Sequence, residues 1–187
     1  MSSRMSFRMS SLAHKARVFW PLAVALLVAD WGTKQLAVDR LSPALVQHPV
    51  LGDFVCFTLA YNPGAAMSIS LGDYSRVGFT LLSIAALAIL GRLYRNAHRD
   101  DGSLAMALAL VCGGAAGNLV DRLRSARGVV DFIDVGVGDY RFWTFNLADV
   151  GVTVGAAALT AILWRRESAR RDDEELAAAA TTGGAAQ

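Results

Sequence analysis

Four long apolar blocks run through the chain, and a polypeptide that carries such blocks has few ways to fold. They cover roughly residues 18–38, 77–90, 104–120 and 145–164. Crossing the hydrocarbon core of a bilayer takes about 20 such residues as a helix. The first, third and fourth blocks approach that length. The second reaches it when Tyr74 and Tyr94 sit at the two interfaces, where aromatic rings are favoured. Only 18% of the residues are charged, against about 25% in an ordinary soluble domain. The expected architecture is therefore an all-α integral membrane protein with four transmembrane helices, at about 18–38, 74–92, 103–121 and 145–164.

The flanks are different. Residues 1–17 form a basic tail, and 166–187 are charged, then rich in Ala, Thr and Gly, which predicts a disordered C-terminal tail. The N-terminus imitates a signal peptide, but its apolar run is long for one and contains Asp30 and Lys34, so it reads as a retained first span. Lysine and arginine set the orientation. Eleven of the eighteen lie in the two tails and in residues 92–102, six arginines lie in the other two loops, and Lys34 lies inside the first block. The positive-inside bias then places both termini in the cytoplasm and residues 39–76 and 122–144 outside. Residues 50–69 mix β-branched and aromatic side chains with Gly52, Pro63 and Gly64, a pattern of short strands or a hairpin.

Several function classes drop out. A formal net charge of +2 is too small to suggest nucleic acid. Cys56, in a loop, and Cys112, in an apolar block, make no disulfide framework and no CxxC spacing, and both read as structural. The three histidines, His14, His48 and His98, are scattered and supply no metal-ligand spacing, so neither a metal nor another cofactor is expected. Gly113-x-x-x-Gly117 and Gly151-x-x-x-Gly155 place small residues on one face of the third and fourth spans, which suits close helix packing.

Ionisable groups at membrane depth are costly and so mark candidate sites. Asp30 and Lys34, four residues apart on one helical face, read first as an internal ion pair. Asn118, Asp121 and Arg122 close the third span, Asp131 and Asp134 follow in the loop, and Asn146 and Asp149 open the fourth. On local grounds Asn146 and Asp149 are helix caps, and Asp131 competes with Asp121 and Asp134. Asp131 stands among Val129, Val130, Phe132 and Ile133, however. Two carboxyls converging in so apolar a setting would share one proton. The charged one could activate a water while the protonated one polarises a peptide carbonyl. A proton-coupled transporter and a purely structural membrane protein are the alternatives. A relay wants acids near mid-membrane, where only Asp30 lies, and a scaffold leaves the Asp131 and Asp149 cluster unexplained.

Five ordered motifs resemble the lipoprotein signal peptidase (signal peptidase II) family over roughly residues 18–165. They are Asp30-x-x-x-Lys34, Asn62-Pro63-Gly64-Ala65-Ala66, Gly117-Asn118-x-x-Asp121-Arg122, Val130-Asp131-Phe132 and Phe145-Asn146-x-Ala148-Asp149. The resemblance implies four transmembrane helices with a small extracytoplasmic β-like cradle and a short periplasmic helix over the site. It implies a monomeric aspartic endopeptidase of the bacterial inner membrane, with its active site at the periplasmic face. Its substrates would be diacylglyceryl-modified prolipoproteins met among membrane lipids, cut on the N-terminal side of the lipidated cysteine. Asp131 and Asp149 would be the catalytic dyad, with Asp121 outside it. Asn62, Gly64, Asn118, Arg122 and Asn146 would bind substrate or orient the dyad, and Asp30 and Lys34 would support it. Met67 departs from the phenylalanine usual in the family.

Overall fold

The computed structural model describes residues 2–64 and 72–184. Its helices are α1 (Ser2–Arg40), α2 (Ser75–Asn96), α3 (Gly102–Arg124) and α4 (Leu147–Gly184). The strands β1 (Gln47–Leu51), β2 (Val55–Asn62), β3 (Val129–Val137) and β4 (Tyr140–Arg141) form one antiparallel sheet in the order β1-β2-β3-β4. Among the described residues, α2, α3 and the start of α4 are three helices long and apolar enough to cross a membrane. The apolar stretch of α1 is interrupted by Asp30 and Lys34, both fully buried. Lipid offers the backbone no hydrogen-bond partner, so helices that satisfy their own N–H and C=O groups are the economical solution there.

α3 lies at the centre and packs on α1, α2 and α4. Its glycines make that possible. A Cβ on Gly113 would stand 2.8 Å from the Ala23 carbonyl oxygen of α1, and one on Gly114 would stand 2.3 Å from the Ala148 oxygen of α4. Gly155 of α4 meets α3 in the same way, 2.9 Å from the Ala107 oxygen. α2 is peripheral and leaves Leu81, Leu82, Ile84 and Ile89 exposed, as a lipid-facing helix would. At one end of the bundle Lys15 of α1 stacks on the Tyr94 ring and donates to the carbonyls of Tyr94, Arg95 and Ala97, capping the C-terminus of α2. Arg166 of α4 pairs there with Asp101, the N-cap of α3. At the other end Ala37 of α1 and Leu41 just past its end pack on Leu59, Val130 and Phe132, fastening the sheet to the helices.

Several sequence expectations are corrected. The segment expected to be a disordered tail continues α4 to Gly184. Arg170 pairs with Glu167 and Glu174, Arg171 pairs with Glu167, and these one-turn spacings support a helix. The alanines at 177–180 are the best helix formers. At the other terminus α1 begins at Ser2, inside the expected tail. Cys56 lies in β2, buried, rather than in a loop. Residues 72–74 make a single 3-10 turn ahead of α2. Residues 65–71, with Ala65, Ala66 and Met67, lie outside the described residues.

Alanine substitution separates packing glycines from incidental ones. Gly114→Ala must push α4 away from α3 and should cost about 1–3 kcal/mol. Gly91→Ala, where a Cβ meets nothing within 4 Å, should stay within about 1 kcal/mol of the parent. Thermal unfolding in detergent measures both, and equal effects would contradict this packing.

Candidate active site

The site grows from one buried lysine. Lys34 Nζ lies 2.8 Å from Asp30 Oδ2, 2.9 Å from Asp121 Oδ2 and 2.8 Å from Asn118 Oδ1, with no solvent exposure. A lysine has three protons to donate, and here three oxygens surround it. Asp30 reaches further. Its Oδ1 accepts the N–H of Ala148 at 2.8 Å, so α1 caps the first turn of α4. Gly117 makes room for that carboxylate, since a Cβ there would stand 2.5 Å from Asp30 Oδ2. The Asp30–Lys34 ion pair read from the sequence is present, and Asp121 completes it from α3.

The ammonium dictates the next layer. It can only donate, so Asn118 must turn its carbonyl oxygen toward Lys34. The Asn118 amide nitrogen then faces Asp149 and donates to Oδ1 at 2.7 Å. The other Asp149 oxygen accepts the Asn146 backbone N–H at 3.2 Å, while Asn146 Oδ1 accepts the Asp149 N–H at 3.0 Å. This reciprocal pair has the geometry of a capping box, so the cap reading of Asn146 and Asp149 is correct as far as it goes. The Asn146 side-chain nitrogen also donates to Asp131 Oδ1 at 2.6 Å. Asn146, just ahead of α4, thus joins the two acids, and Asn118 of α3 holds Asp149 from the other side.

Asp131 sits on β3, 3% exposed. The Asp121 carboxylate accepts the Val130 N–H at 3.2 Å and so ties the base of β3 to α3. From β2, Asn62 Nδ2 donates to Asp131 Oδ2 at 3.2 Å. Asn62 Oδ1 accepts the Gly64 N–H at 3.0 Å, and Arg122 Nη2 donates to the Gly64 carbonyl at 3.1 Å. Gly128 lets this layer close, with φ +93° and a would-be Cβ 2.2 Å from the Asn62 carbonyl oxygen. Burial pushes the Asp131 carboxyl up to about 7. The nearby negative charge of Asp149 adds to the rise, and the amides of Asn62 and Asn146 hold it back.

The competing acids are occupied. Asp121 belongs to Lys34. Asp134 is anchored by Arg141 Nε at 2.9 Å, Thr58 Oγ1 at 2.9 Å and Gln47 Nε2 at 3.1 Å, which knits β1, β2, β3 and β4 together. Among the described residues, no lysine or arginine forms an ion pair with Asp131 or Asp149. All nine residues singled out in the sequence gather at this end of the bundle. The roles of Gly128 and of the Arg141–Asp134 pair were not foreseen. A glycine just ahead of the apolar run at 129–133 is a local signal for the first. The second has none until the strand register is known.

The chain has relatives of known family. The family model described as signal peptidase (SPase) II matches residues 22–165. A protein of Geobacter sulfurreducens named lipoprotein signal peptidase is 38% identical over 153 residues, 81% of this chain and 94% of the relative. Another of that name, from Coxiella burnetii, is 36% identical over 154 residues, 78% of this chain and 90% of the relative. A bacterial membrane enzyme solved by the in meso method superposes with a TM-score of 0.70 at 28% identity, covering 79% of this chain and 87% of its own.

The raised Asp131 carboxyl gives stability a pH slope. Between the ordinary carboxylate value and about 7 the folded state holds a proton that the unfolded state has released, so stability falls as pH rises through that window and is level above it. Asp131→Asn removes the slope. The variant should gain on the parent by a few kcal/mol at most between about pH 5 and pH 8. Unfolding midpoints in detergent test this, and a gap of constant size would contradict it.

Proposed function

The chain belongs to the signal peptidase II family, proteases that remove signal peptides from prolipoproteins, and on that premise we propose that Asp131 and Asp149 are the catalytic pair. Family membership sets aside the transporter and scaffold readings. One observation carries the assignment. Of the buried or half-buried acids at this end of the bundle, Asp30, Asp121 and Asp134 are held by cations, whereas Asp131 and Asp149 are held by amides. Amide donors orient a carboxyl without neutralising it, which leaves the pair able to exchange a proton.

The reaction follows from that arrangement. A water between the acids gives a proton to ionised Asp149 as its oxygen attacks the scissile carbonyl, while Asp131 donates its own proton to the carbonyl oxygen. The tetrahedral intermediate returns a proton to Asp131 and collapses as the leaving amine takes one from Asp149. Carboxylic acid and amine products result, and the dyad is restored. Asn118 and Asn146 keep the two carboxyls aimed, and Asn62, Gly64 and Arg122 line the approach for the substrate backbone.

The substrate reading is finer. The cut falls on the N-terminal side of a cysteine bearing diacylglyceryl. Such a substrate cannot leave the bilayer without exposing acyl chain, at about 0.8 kcal/mol per CH₂. A dyad at the mouth of the bundle, where helices give way to the sheet, meets that requirement. In this reading α1 is a fourth span with its acid and lysine turned inward, and both termini are cytoplasmic. The sheet end is periplasmic, and a single chain in the inner membrane is the working unit.

Asp131→Asn and Asp149→Asn should each lower cleavage of a diacylglyceryl-modified prolipoprotein in liposomes by about a thousandfold or more, with the fold intact. Asp121→Asn should keep measurable activity, since its carboxylate binds Lys34 and a backbone N–H. Unimpaired processing by either dyad variant would overturn the assignment, and equal processing of a substrate without the lipid would overturn the substrate reading.

A further inference from the structure

The sheet ends in two hairpin tips at the same edge, because Val55 at the start of β2 pairs with Val135 near the end of β3. That edge is far from the dyad. Asp131 and Val137 are six residues apart on one strand, roughly 20 Å. Leu51 and Phe54 on one tip and Val137 and Tyr140 on the other are all more than half exposed, as is Phe142, and Trp143 nearly so. The tips touch, since Gly136 N–H donates to the Phe54 carbonyl at 3.0 Å. The Phe142 ring packs edge-on against both Trp143 and Phe145.

A soluble surface rarely gathers so many apolar side chains, and two features identify what covers them. Trp143 precedes the first residue of α4 by four positions, so it lies within about 14 Å of the place where that helix leaves the bundle mouth. Tyrosine, tryptophan and phenylalanine together also suit the boundary between headgroups and acyl chains. Charge agrees. Arg141, the cation of this edge, is engaged by Asp134 and by the Asp53 carbonyl. The exposed acids Asp53 and Asp139 sit at the turns and resist deep insertion. We propose that residues 51–54 and 137–143 rest in the interfacial layer of the same bilayer that the helices cross, so that the sheet lies along the membrane instead of projecting into water. The contact would hold the strand carrying Asp131 at a set height over the leaflet.

The test uses the full chain in phosphatidylcholine vesicles, with Trp20, Trp31 and Trp164 replaced by phenylalanine so that Trp143 alone emits. Bromine near the headgroup end of the acyl chains should lower that emission roughly twofold, more than bromine near the chain terminus, while aqueous iodide has little effect. Emission untouched by bromolipid and readily quenched by iodide would overturn the proposal. Protection from iodide that grows with protein density, without quenching by bromolipid, would assign the surface to a second copy and overturn it as well. A dye on Leu51→Cys in the chain with its native tryptophans gives the same reading at the other tip, whether or not the triple replacement folds. Failure of bromolipid to quench that dye would count equally against the proposal.

Discussion

A lysine with no access to water sets the geometry of this protein's working end. An uncompensated charge inside a bundle is too costly to persist, so each proton of Lys34 has to meet an acceptor. The acceptors come from α1 and α3: Asp30, Asp121 and the carbonyl of Asn118. Each then does a second task. Asp30 caps α4, Asp121 anchors β3, and Asn118 turns its nitrogen to Asp149. Two helices, a strand and the Asp149 carboxyl are thereby registered against one ammonium group.

What this leaves uncompensated matters as much. The network absorbs the cation and two acids, and Arg141 absorbs a third at Asp134. Asp131 and Asp149 remain with amide donors alone, one buried on a strand and one in the first turn of a helix. The cap is compatible with the proposed role of Asp149 because its two oxygens face different donors. One accepts from the backbone of Asn146 and the other from the side chain of Asn118. Asn146 likewise closes the cap through its oxygen and holds Asp131 through its nitrogen.

Much of this was legible in the chain. The apolar blocks located α2, α3 and the membrane part of α4, because crossing a bilayer imposes length and composition directly on the sequence. The Asp30–Lys34 pair was legible because both residues share one helical face. The attachment of Lys34 to Asn118 was not, since those residues stand 84 positions apart and meet only when α1 and α3 pack. Nor did local reasoning separate Asp131 from Asp121 and Asp134, whose difference lies in the cation that each one meets after folding. The order of the motifs made that choice. The tail was misread because its ion pairs and alanines favour a helix, although its composition resembles a disordered segment.

The proposed dyad is a pair of carboxyls without an ion-pair partner among the described residues, and its role requires that they share one proton. Infrared titration of the protein in lipid, reading the carbonyl stretch of a protonated carboxylic acid, observes that proton most directly. The band should fade as pH rises through about 7. It should be missing in Asp131→Asn and should fade at lower pH in Asp149→Asn, where the neighbouring negative charge is gone. An Asp131 already ionised at about pH 5, or a titration that Asp149→Asn leaves unmoved, would contradict a shared proton.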